Sequence, residues 1–343
     1  MSPRIRGTYR VVAKATVVKD VSMNRREMLK GLSAMAAVTA IPVSDLWAAK
    51  VDSTYKSVKL GLITGSLNPL PNVPGKDPID IIIENCLAIG AANIELVNVG
   101  NQMPPQVVNG GRFGQAPDQK TPEYLKTREE LRQWRINLPL ERFREVRKKF
   151  DDVGLNLFSY VYTIDDDMTD PEIDAAFRQM QALKVGLFCT NQTRVTMAAR
   201  MAPFADKYKI KPAWHPHDNI DSPVEVATAA SLEKLLAMSK NFVINLDIGH
   251  FTAGNNDAVD FLKKHHDRIS HLHIKDRSRN HGPNVQLGTG QTPIKECLTL
   301  IRDNKWPIYA IIEREFRGPG TPVDETKWQM DYLRKALDSA ATA

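Results

Sequence analysis

A strand–helix–strand segment from Val243 to Arg277 constrains the fold of this chain more than any other feature. Two short runs rich in β-branched residues, VINL and ISHLHI, flank Asp257–His266, where apolar residues recur at helical spacing. A strand, a helix and a second strand of this length form a unit whose strands are parallel neighbours. Because the ends of such strands meet at one rim, we expect Asp247 and His273 to converge.

Each of these two strands ends in a cluster of side chains that can bind metal ions. The first cluster is Asp247 and His250, and the second is His271, His273, Lys275 and Asp276. A single polar residue at a strand end is ordinarily a cap or a solvated group, but two clusters on consecutive strands favour a common metal site. Carboxylate combined with imidazole suits Zn, Mn, Co or Fe.

The rest of the chain alternates between strand and helix patterns in the same way. The predicted strands are residues 57–62, 92–97, 155–162, 186–189, 210–217, 243–246, 269–274 and 307–313. The predicted helices are residues 79–90, 138–153, 171–183, 193–208, 223–238, 257–266, 293–304 and 321–340. Eight such repeats predict an α/β fold, a single-domain (β/α)8 TIM barrel. A doubly wound open sheet is the competitor, but LGLITGS in the first strand lacks its Gly-rich phosphate loop.

One long segment, residues 98–137, interrupts this alternation. It is rich in Gly and Pro and then strongly charged, with the sequence KTREELRQWR. A loop of this length after a barrel strand is typical of a lid or a substrate-binding insertion. Helical character is predicted to return only after it.

The first 49 residues are predicted to be an export signal with an N-terminal extension, separate from a barrel domain at residues 50–343. Asn24–Lys30 reads NRREMLK and precedes a largely apolar run at residues 31–43. This pattern resembles a twin-arginine signal, and the run is too short for a stable membrane anchor. We therefore expect a bacterial protein that the twin-arginine translocon exports to the periplasm or beyond.

The distribution of charge argues against a nucleic-acid partner. The formal net charge is +6, but residues 1–49 hold eight Lys and Arg against three acids, so the remainder carries only +1. A near-neutral body is unlike that of a protein that binds the phosphate backbone. We expect no nucleic-acid partner, and the sequence leaves self-association into a homo-oligomer open. The three cysteines are far apart, and no disulfide is predicted.

The last four strands offer one metal ligand each. The predicted ligands are His217, Asp247, His273 and Glu313. In a TIM barrel the C-terminal strand ends form a single face, and a catalytic metal site keeps a coordination position open for water or substrate. His215 lies two residues before His217 and points the same way along an extended strand, so the choice between them as ligand stays open.

Glu95 stands out because it lies inside an otherwise apolar predicted strand. An unpaired buried carboxylate is costly. Glu95 is therefore expected either to pair with a cation or to face the barrel mouth as a substrate-binding residue.

Five short motifs, taken in order, resemble those of the sugar isomerase/epimerase superfamily, whose members share a xylose isomerase-like TIM barrel. The motifs are IEL, HPH, LDIGH, HLHIKD and IIE, and the resemblance spans roughly residues 55–340. The superfamily includes xylose isomerases, ketose 3-epimerases, inosose dehydratases and endonuclease IV-type enzymes. Each motif alone is weak, but five in the same order are specific.

This resemblance implies a divalent metal, with Mn²⁺ as the expected ion and Zn²⁺, Co²⁺ or Fe²⁺ as alternatives. It implies that Asp247, His273 and Glu313 bind that ion and that His250 contacts the substrate. Where the epimerases carry a carboxylate on strand five, this chain has His215. That departure, together with Lys275, favours the inosose dehydratase-like branch over an epimerase that uses two carboxylates.

The chemistry expected of such a site is proton removal next to a carbonyl. This proton is too weakly acidic for an unaided base, and a bound metal stabilises the enediolate that forms. Glu313 or His215 would remove the proton, and Lys275 would donate to an oxygen. His250 and Arg277 are predicted to bind the substrate together with the strand-two carboxylate.

The sequence thus predicts a metal-dependent isomerase or epimerase that acts on a sugar or keto-sugar. Loss of a β-substituent would instead make it a dehydratase or lyase, including one that eliminates or hydrates 3-keto-glycosides. A non-catalytic exported sugar-binding protein is the alternative from another class, and a stoichiometric divalent ion would argue against it. An endonuclease of the same fold is disfavoured by the near-neutral charge.

Overall fold

Parallel strands form the centre of the computed structural model, which describes residues 51–99, 121–190, 195–222 and 225–338. In chain order the strands are β1 (Thr54–Tyr55), β2 (Val58–Ile63), β3 (Asn93–Leu96), β4 (Asn156–Val161), β5 (Leu187–Thr190), β6 (Lys211–Trp214), β7 (Val243–Asp247), β8 (Ile269–Ile274), β9 (Asp276–Arg277), β10 (Asn284–Val285) and β11 (Tyr309–Ile312).

Eight of these strands close into a barrel. They pair in the order β2, β11, β8, β7, β6, β5, β4, β3, and β3 pairs back onto β2. Leu62 of β2 is in register with Ile94 on one side and with Ile312 on the other. Strand β1 adds an antiparallel pair to β2, and β9 and β10 form a separate hairpin. The predicted (β/α)8 barrel is confirmed.

Helices cover the outside of the barrel. They are α1 (Pro78–Ile89), α2 (Pro122–Asn137), α3 (Leu140–Asp152), α4 (Asp170–Ala182), α5 (Val195–Tyr208), α6 (Ala229–Met238), α7 (Ile248–Ala253), α8 (Ala258–His265), α9 (Ile294–Asn304) and α10 (Pro322–Asp338). None of the helices in the described part of the chain is both long and apolar enough to cross a bilayer. The predicted export signal lies outside the described residues.

Local sequence signals explain where helix α1 starts and stops. The Asp77 carboxylate accepts a hydrogen bond from the Ile79 N–H at 3.0 Å, and Pro78 occupies the first turn, where its missing N–H costs nothing. The helix ends at Gly90, whose φ of 76° lies in the left-handed region that glycine adopts readily.

The period-two alternation of strand β8 separates its functional and structural side chains. His271 and His273 point into the barrel, where both contact a carboxylate on β3. Leu272 and Ile274 point the other way and belong to the apolar core between strands and helices. The same strand therefore builds the core with one face and the site with the other.

Strand β6 ends earlier than predicted. The sequence pattern favoured a strand to His217, whereas the structure ends it at Trp214 and continues as an extended loop. His215 still donates its N–H to the Thr190 carbonyl at 3.2 Å. Pro216 has no N–H to offer the ladder, so regular pairing stops there.

The prediction of a loop over residues 98–137 is wrong for its second half, because residues 122–137 form helix α2. The Thr121 side chain caps the helix by accepting from the Tyr124 N–H at 3.2 Å. Few of its residues are apolar, so the pattern gave no helical face. The helix is instead attached through Arg128, which is 5% exposed and forms ion pairs with Asp167 and Glu172. Residues 100–120 lie outside the described part of the chain.

Candidate metal centre

Four side chains meet at the C-terminal mouth of the barrel, each from the end of a different strand. They are His215 after β6, Asp247 of β7, His273 of β8 and Glu313 after β11, and one ligand atom from each lies within 4.8 Å of those of the other three. The strand register accounts for the convergence, because Asp247 pairs directly with His273 and the Glu313 N–H donates to the Ile274 carbonyl at 3.1 Å.

The inner atoms of this cluster lack the hydrogen bonds that buried polar atoms normally make. Asp247 Oδ2, His273 Nδ1 and Glu313 Oε2 are buried, and none of them has a hydrogen-bond partner within the described residues. His273 Nδ1 lies 2.9 Å from Glu313 Oε2, but the contact lacks hydrogen-bonding geometry. Asp247 Oδ2 and Glu313 Oε2 are in ion-pair contact with Lys275, and a shared cation would give all three atoms a further partner.

The charge at the mouth also fits a divalent ion. The ammonium of Lys275 is 2% exposed and lies 3.0 Å from Asp247, 2.9 Å from Glu313 and 3.0 Å from Glu315. Three carboxyl groups surround a single ammonium, an arrangement that favours a further cation. Two imidazoles with two carboxylates are also a donor set that Mn²⁺, Zn²⁺, Co²⁺ and Fe²⁺ accept.

The protonation states of the charged groups follow from these contacts. Burial alone would lower the pKa of Lys275, but the carboxylates of Asp247, Glu313 and Glu315 outweigh it and raise that pKa above its ordinary value. Burial likewise opposes the charge of Glu313, yet Lys275 and His273 hold the pKa of Glu313 well below its usual range. Both groups are therefore charged at neutral pH.

The structure favours His215 over His217 as the ligand that follows strand β6. His215 belongs to the four-residue cluster, whereas His217 groups with His215 and His250, and its ring lies 4.9 Å from the ring of each. Burial lowers the pKa of His215 well below its ordinary value, so the imidazole is neutral and able to bind a metal. The catalytic role predicted for His215 and the ligand role predicted for His217 stay predictions. The geometry favours the reverse, with His215 as the ligand.

The three-histidine group is a poorer metal site than its spacing suggests. Arg277 Nη1 donates to His250 Nδ1 at 2.6 Å, which uses the lone pair of that nitrogen. A neutral imidazole then carries its proton on Nε2 and has no second lone pair for an ion. His250 is thus set as a hydrogen-bond donor, in keeping with the substrate contact predicted for it.

Arg277, which donates to His250 Nδ1, is itself held by several other partners. It is 8% exposed, its Nη1 lies 3.0 Å from Asp218 Oδ1, and its Nε and Nη2 donate to the Gly282 carbonyl. With all these partners the guanidinium is fixed, which favours a role in orienting His250 over direct substrate binding. Asp218 directly follows the HPH motif and was not singled out from the sequence, because nothing there links it to Arg277.

Glu95 contacts the four-residue cluster through Nε2 of His273. Its side chain is 0% exposed, and its Oε2 lies 2.5 Å from His273 Nε2, while its Oε1 is 3.2 Å from His271 Nε2. Ser159 Oγ donates to Oε1 at 2.7 Å. Burial opposes its charge, but the two imidazoles outweigh burial and lower the pKa of Glu95 below its usual value. The carboxylate thus has two imidazole partners that favour its charge, and its side chain is fully buried.

A cavity opens beside Glu313 and offers room for a substrate. Its volume is about 430 Å³. Its lining residues are Ile63, Gly65, Ser66, Asn68, Asn284, Glu313, Arg314, Glu315 and Arg317. This lining is mostly polar, which suits a ligand rich in hydrogen-bonding groups. Glu313 belongs both to the ligand cluster and to the cavity wall, so one carboxylate connects the two.

Comparisons with known proteins support the fold. The family described as Xylose isomerase-like TIM barrel matches residues 191–336, a range that contains all four clustered side chains. No curated protein matches the chain.

Several solved structures share this fold. The probable 3-DHS dehydratase AsbF of Bacillus anthracis is 16% identical, with a TM-score of 0.56, over 80% of this chain and 98% of its own. The 3-keto-D-glucoside 4-epimerase YcjR of E. coli is 12% identical, with a TM-score of 0.54, over 81% and 99%. D-Psicose 3-epimerase of Clostridium cellulolyticum H10 is 12% identical, with a TM-score of 0.56, over 82% and 99%. At these identities the likeness establishes the fold alone.

Proposed function

We propose that this protein is a divalent-metal-dependent enzyme that removes a proton next to the carbonyl of a sugar or keto-sugar. The observation that carries the proposal is the buried cluster of His215, Asp247, His273 and Glu313, whose inner atoms lack hydrogen bonds and lie beside a polar cavity. Mn²⁺ is the ion we propose. The solved structures of similar fold named as epimerases support this choice of chemistry.

The roles of the residues follow from their protonation states and locations. The ion, when bound, would stabilise the negative oxygen that develops as the proton leaves. Glu313 is ionised and lines the cavity, so it is the proposed base. Lys275 is charged and lies 2.9 Å from Glu313, so it is placed to donate a proton to a substrate oxygen. His250 donates through Nε2 to a second oxygen.

Hydrogen exchange into the substrate tests this proposal. A panel of keto-sugars is incubated with the Mn²⁺-loaded protein in D₂O, and deuterium at the carbon next to the carbonyl is measured by NMR. We expect Glu313→Gln to slow the exchange by about 10²–10⁴-fold, the usual contribution of a general base. Glu141→Gln, an exposed acid on helix α3, is the control and should exchange at the wild-type rate. Turnover of a sugar with no exchange would contradict the proposal.

A second candidate function is elimination, catalysed by a dehydratase or lyase. The specific observation is that strand β6 leads to His215 where a two-carboxylate epimerase needs an acid, while Lys275 supplies a buried, charged proton donor. Such a donor suits the departure of a β-hydroxyl or a glycosidic oxygen. The same reactions can be followed for the ultraviolet absorbance of an unsaturated ketone, which elimination produces and epimerisation does not.

A non-catalytic sugar-binding protein remains the alternative of another class. Metal analysis of the purified protein separates the two, because sugar binding alone does not require the buried cluster to hold an ion. One equivalent of a divalent ion per chain supports the enzyme, whereas a metal-free protein that binds sugar tightly supports the binding protein.

The proposed location is the bacterial periplasm or the cell exterior. The support for it is Arg25 and Arg26 in the sequence NRREMLK, followed by the largely apolar residues 31–43. We expect replacement of both arginines by lysine to keep the full-length protein in the cytoplasm. Equal periplasmic amounts of the variant and the wild type in cell fractions would contradict export by the twin-arginine translocon.

A further inference from the structure

We propose that Glu95 is a positioning residue that holds the proton of His273 on Nε2 and so presents Nδ1 to the metal ion. The inference rests on the metal dependence of the proposed function. It replaces the substrate contact expected of Glu95 with a role beneath the site, and it assigns the buried carboxylate of strand β3 to control of metal affinity.

The two nitrogens of His273 have different neighbours. Nδ1 faces the ligand cluster, 2.9 Å from Glu313 Oε2, and makes no hydrogen bond within the described residues. Nε2 faces away from the cluster and lies 2.5 Å from Glu95 Oε2. A separation this short between a nitrogen and a carboxylate oxygen requires a proton between them. In the neutral imidazole that a metal ion binds, a proton on Nε2 leaves the lone pair on Nδ1, where the ion can use it.

A metal ion between Glu95 and His273 is excluded by the same distance. Ligand atoms that each lie about 2.0–2.2 Å from one ion stand about 3 Å apart or more in tetrahedral or octahedral coordination. The 2.5 Å contact leaves no room for an ion, although His271 completes a third group of potential ligands here. Full burial of the Glu95 side chain, which is 0% exposed, favours this role over direct substrate contact.

The neighbours of the Asn245 side-chain amide are consistent with a proton on His273 Nε2, provided that the amide oxygen and nitrogen are exchanged. The atom placed as Nδ2 lies 3.1 Å from His273 Nε2 and 3.3 Å from His215 Nδ1, while Oδ1 has no hydrogen-bond partner within the described residues. Oxygen and nitrogen of an amide are assigned from their hydrogen bonds. With oxygen facing the two rings, Asn245 accepts from His215 Nδ1–H and shares the Nε2–H of His273 with Glu95, and the Cys189 thiol, 3.1 Å away, becomes the donor in that contact. The outer nitrogen of His215 is then also available to the ion.

Glu95 is itself held in place, as this role requires. Ser159 Oγ donates to its Oε1 at 2.7 Å, and Ser159 is 0% exposed. A fixed, charged acceptor favours one tautomer of His273 strongly. A neutral amide at the same place would accept more weakly, and it could also turn and donate its own N–H to Nε2. That second arrangement moves the ring proton to Nδ1, where it blocks the ion.

The experiment compares two isosteric changes at fully buried glutamates. Glu95→Gln alters the proposed positioning residue, and Glu172→Gln removes an equally buried carboxylate, also 0% exposed, that pairs with Arg128 far from the ligands. Mn²⁺ affinity of each full-length variant is measured by calorimetry. We expect Glu95→Gln to weaken Mn²⁺ binding about 10- to 100-fold, the usual effect of removing a partner of a metal-bound histidine, and Glu172→Gln to change it less than twofold.

A spectroscopic readout separates positioning from a general structural effect. In the Zn²⁺-loaded protein labelled with ¹⁵N-histidine, His273 should show a protonated Nε2 and a metal-bound Nδ1. The Glu95→Gln variant should show a mixture of tautomers at this ring, and Glu172→Gln should not. If Glu95→Gln does not fold, Ser159→Ala takes its place, with an expected loss of Mn²⁺ affinity of about threefold to tenfold, below that of removing the carboxylate itself.

The outcomes distinguish this proposal from the proposed function. Wild-type protein that binds one Mn²⁺, with unchanged affinity and tautomer in Glu95→Gln, would overturn the role of Glu95 and leave the function standing. Equal losses in Glu95→Gln and Glu172→Gln would also overturn it, because a structural role would then explain both. Wild-type protein that binds no divalent ion would overturn the proposed function and the role of Glu95 together.

Discussion

Lys275 is the residue whose charge competes most directly with a metal ion. Its Nζ lies 3.0 Å from Asp247 Oδ2 and 2.9 Å from Glu313 Oε2, the same oxygens that face the centre of the ligand cluster. With an ion bound, Glu315, 3.0 Å away, is the carboxylate left to pair with the ammonium. Under the proposed function, Lys275 thus both supplies a proton donor and limits how tightly the cluster binds a cation.

Replacing Lys275 by an uncharged residue should therefore strengthen metal binding and slow the proposed reaction. We expect Lys275→Met to bind Mn²⁺ about tenfold more tightly, because a nearby like charge is lost. We expect its substrate hydrogen exchange to fall at least about 10²-fold, because the proton donor is lost. Calorimetry and exchange in D₂O measure the two effects, with the exposed Lys126→Met as control. Weaker Mn²⁺ binding in Lys275→Met would contradict the competition.

Single residues at strand ends were predictable where spacing and residue type agreed. Asp247, His273 and Glu313 converge as the barrel pattern predicted. The choice between His215 and His217 could not be predicted, because Pro216 ends regular pairing and side-chain alternation no longer applies. Asn245 was also missed. An amide within an apolar strand gives no sign that it will face two imidazoles across the barrel.

At the scale of elements, helix α2 is held to the barrel by charge rather than by apolar contacts. Arg128 Nη1 lies 2.9 Å from Glu172 Oε1 on helix α4, and Arg128 Nε lies 2.6 Å from Asp167 Oδ2. Arg135 adds a contact to Glu172 at 3.2 Å. Ion pairing of this kind leaves no periodic apolar stripe, which is why the helix could not be predicted from its hydrophobic pattern.

Breaking this buried pair should be costly. We expect Arg128→Met to lower the free energy of unfolding by about 3 kcal/mol, since Glu172 would keep its charge in a buried place without its principal partner. Urea unfolding at pH 7 measures the change. Arg144→Met, which removes an exposed arginine paired with Glu141 on helix α3, should change stability by less than about 0.5 kcal/mol. Equal effects of the two substitutions would contradict ionic anchoring of helix α2.

The ion pair between Arg128 and Glu172 also predicts a loss of stability in acid. Burial opposes the charge of Glu172, but Arg128 and the Thr169 N–H outweigh it and lower the pKa of Glu172 to about 2. Because the folded pKa lies below the unfolded value of about 4.5, the stabilisation is complete above pH 5 and is lost as pH falls towards 2. Its size is about 3 kcal/mol. The difference in unfolding free energy between wild type and Glu172→Gln should therefore shrink from pH 7 to pH 3, and a constant difference would contradict the assignment.

At the scale of the whole molecule, closure between strands β2 and β3 makes the site possible. At this seam β2 pairs with β3 on one side and with β11 on the other, so the first part of the chain lies against the last. The closure thereby places Glu95 of β3 beneath the clustered side chains from the ends of β7, β8 and β11. Gly61 lies in this seam, where an added Cβ would stand 1.9 Å from the Asn93 carbonyl oxygen.

A side chain at Gly61 should therefore disrupt closure. We expect Gly61→Ala to lower the free energy of unfolding by about 3 kcal/mol, because the neighbouring backbone must move. Gly186→Ala is the matched control, since an added Cβ there meets no atom within 4 Å. Thermal unfolding of both variants measures the effect. A Gly61→Ala protein as stable as Gly186→Ala would contradict a requirement for glycine at this close approach of β2 and β3.

The closed barrel itself was predictable from eight alternating strands and helices without a Gly-rich phosphate loop. What the alternation does not predict is how far each strand runs and which side chains meet across the barrel. Those features depend on register across the closed sheet, such as the position of Glu95 opposite both histidines of β8. Spacing along the chain carries no information about them.

The central claim is that one divalent ion binds among His215, Asp247, His273 and Glu313. Anomalous diffraction from crystals of the Mn²⁺-loaded protein tests it most directly. The account predicts a single strong Mn²⁺ peak at about 2.0–2.3 Å from one atom of each of these four residues. A peak among His215, His217 and His250 with Asp247 and Glu313 left unbound, or no peak in the barrel mouth, would contradict it.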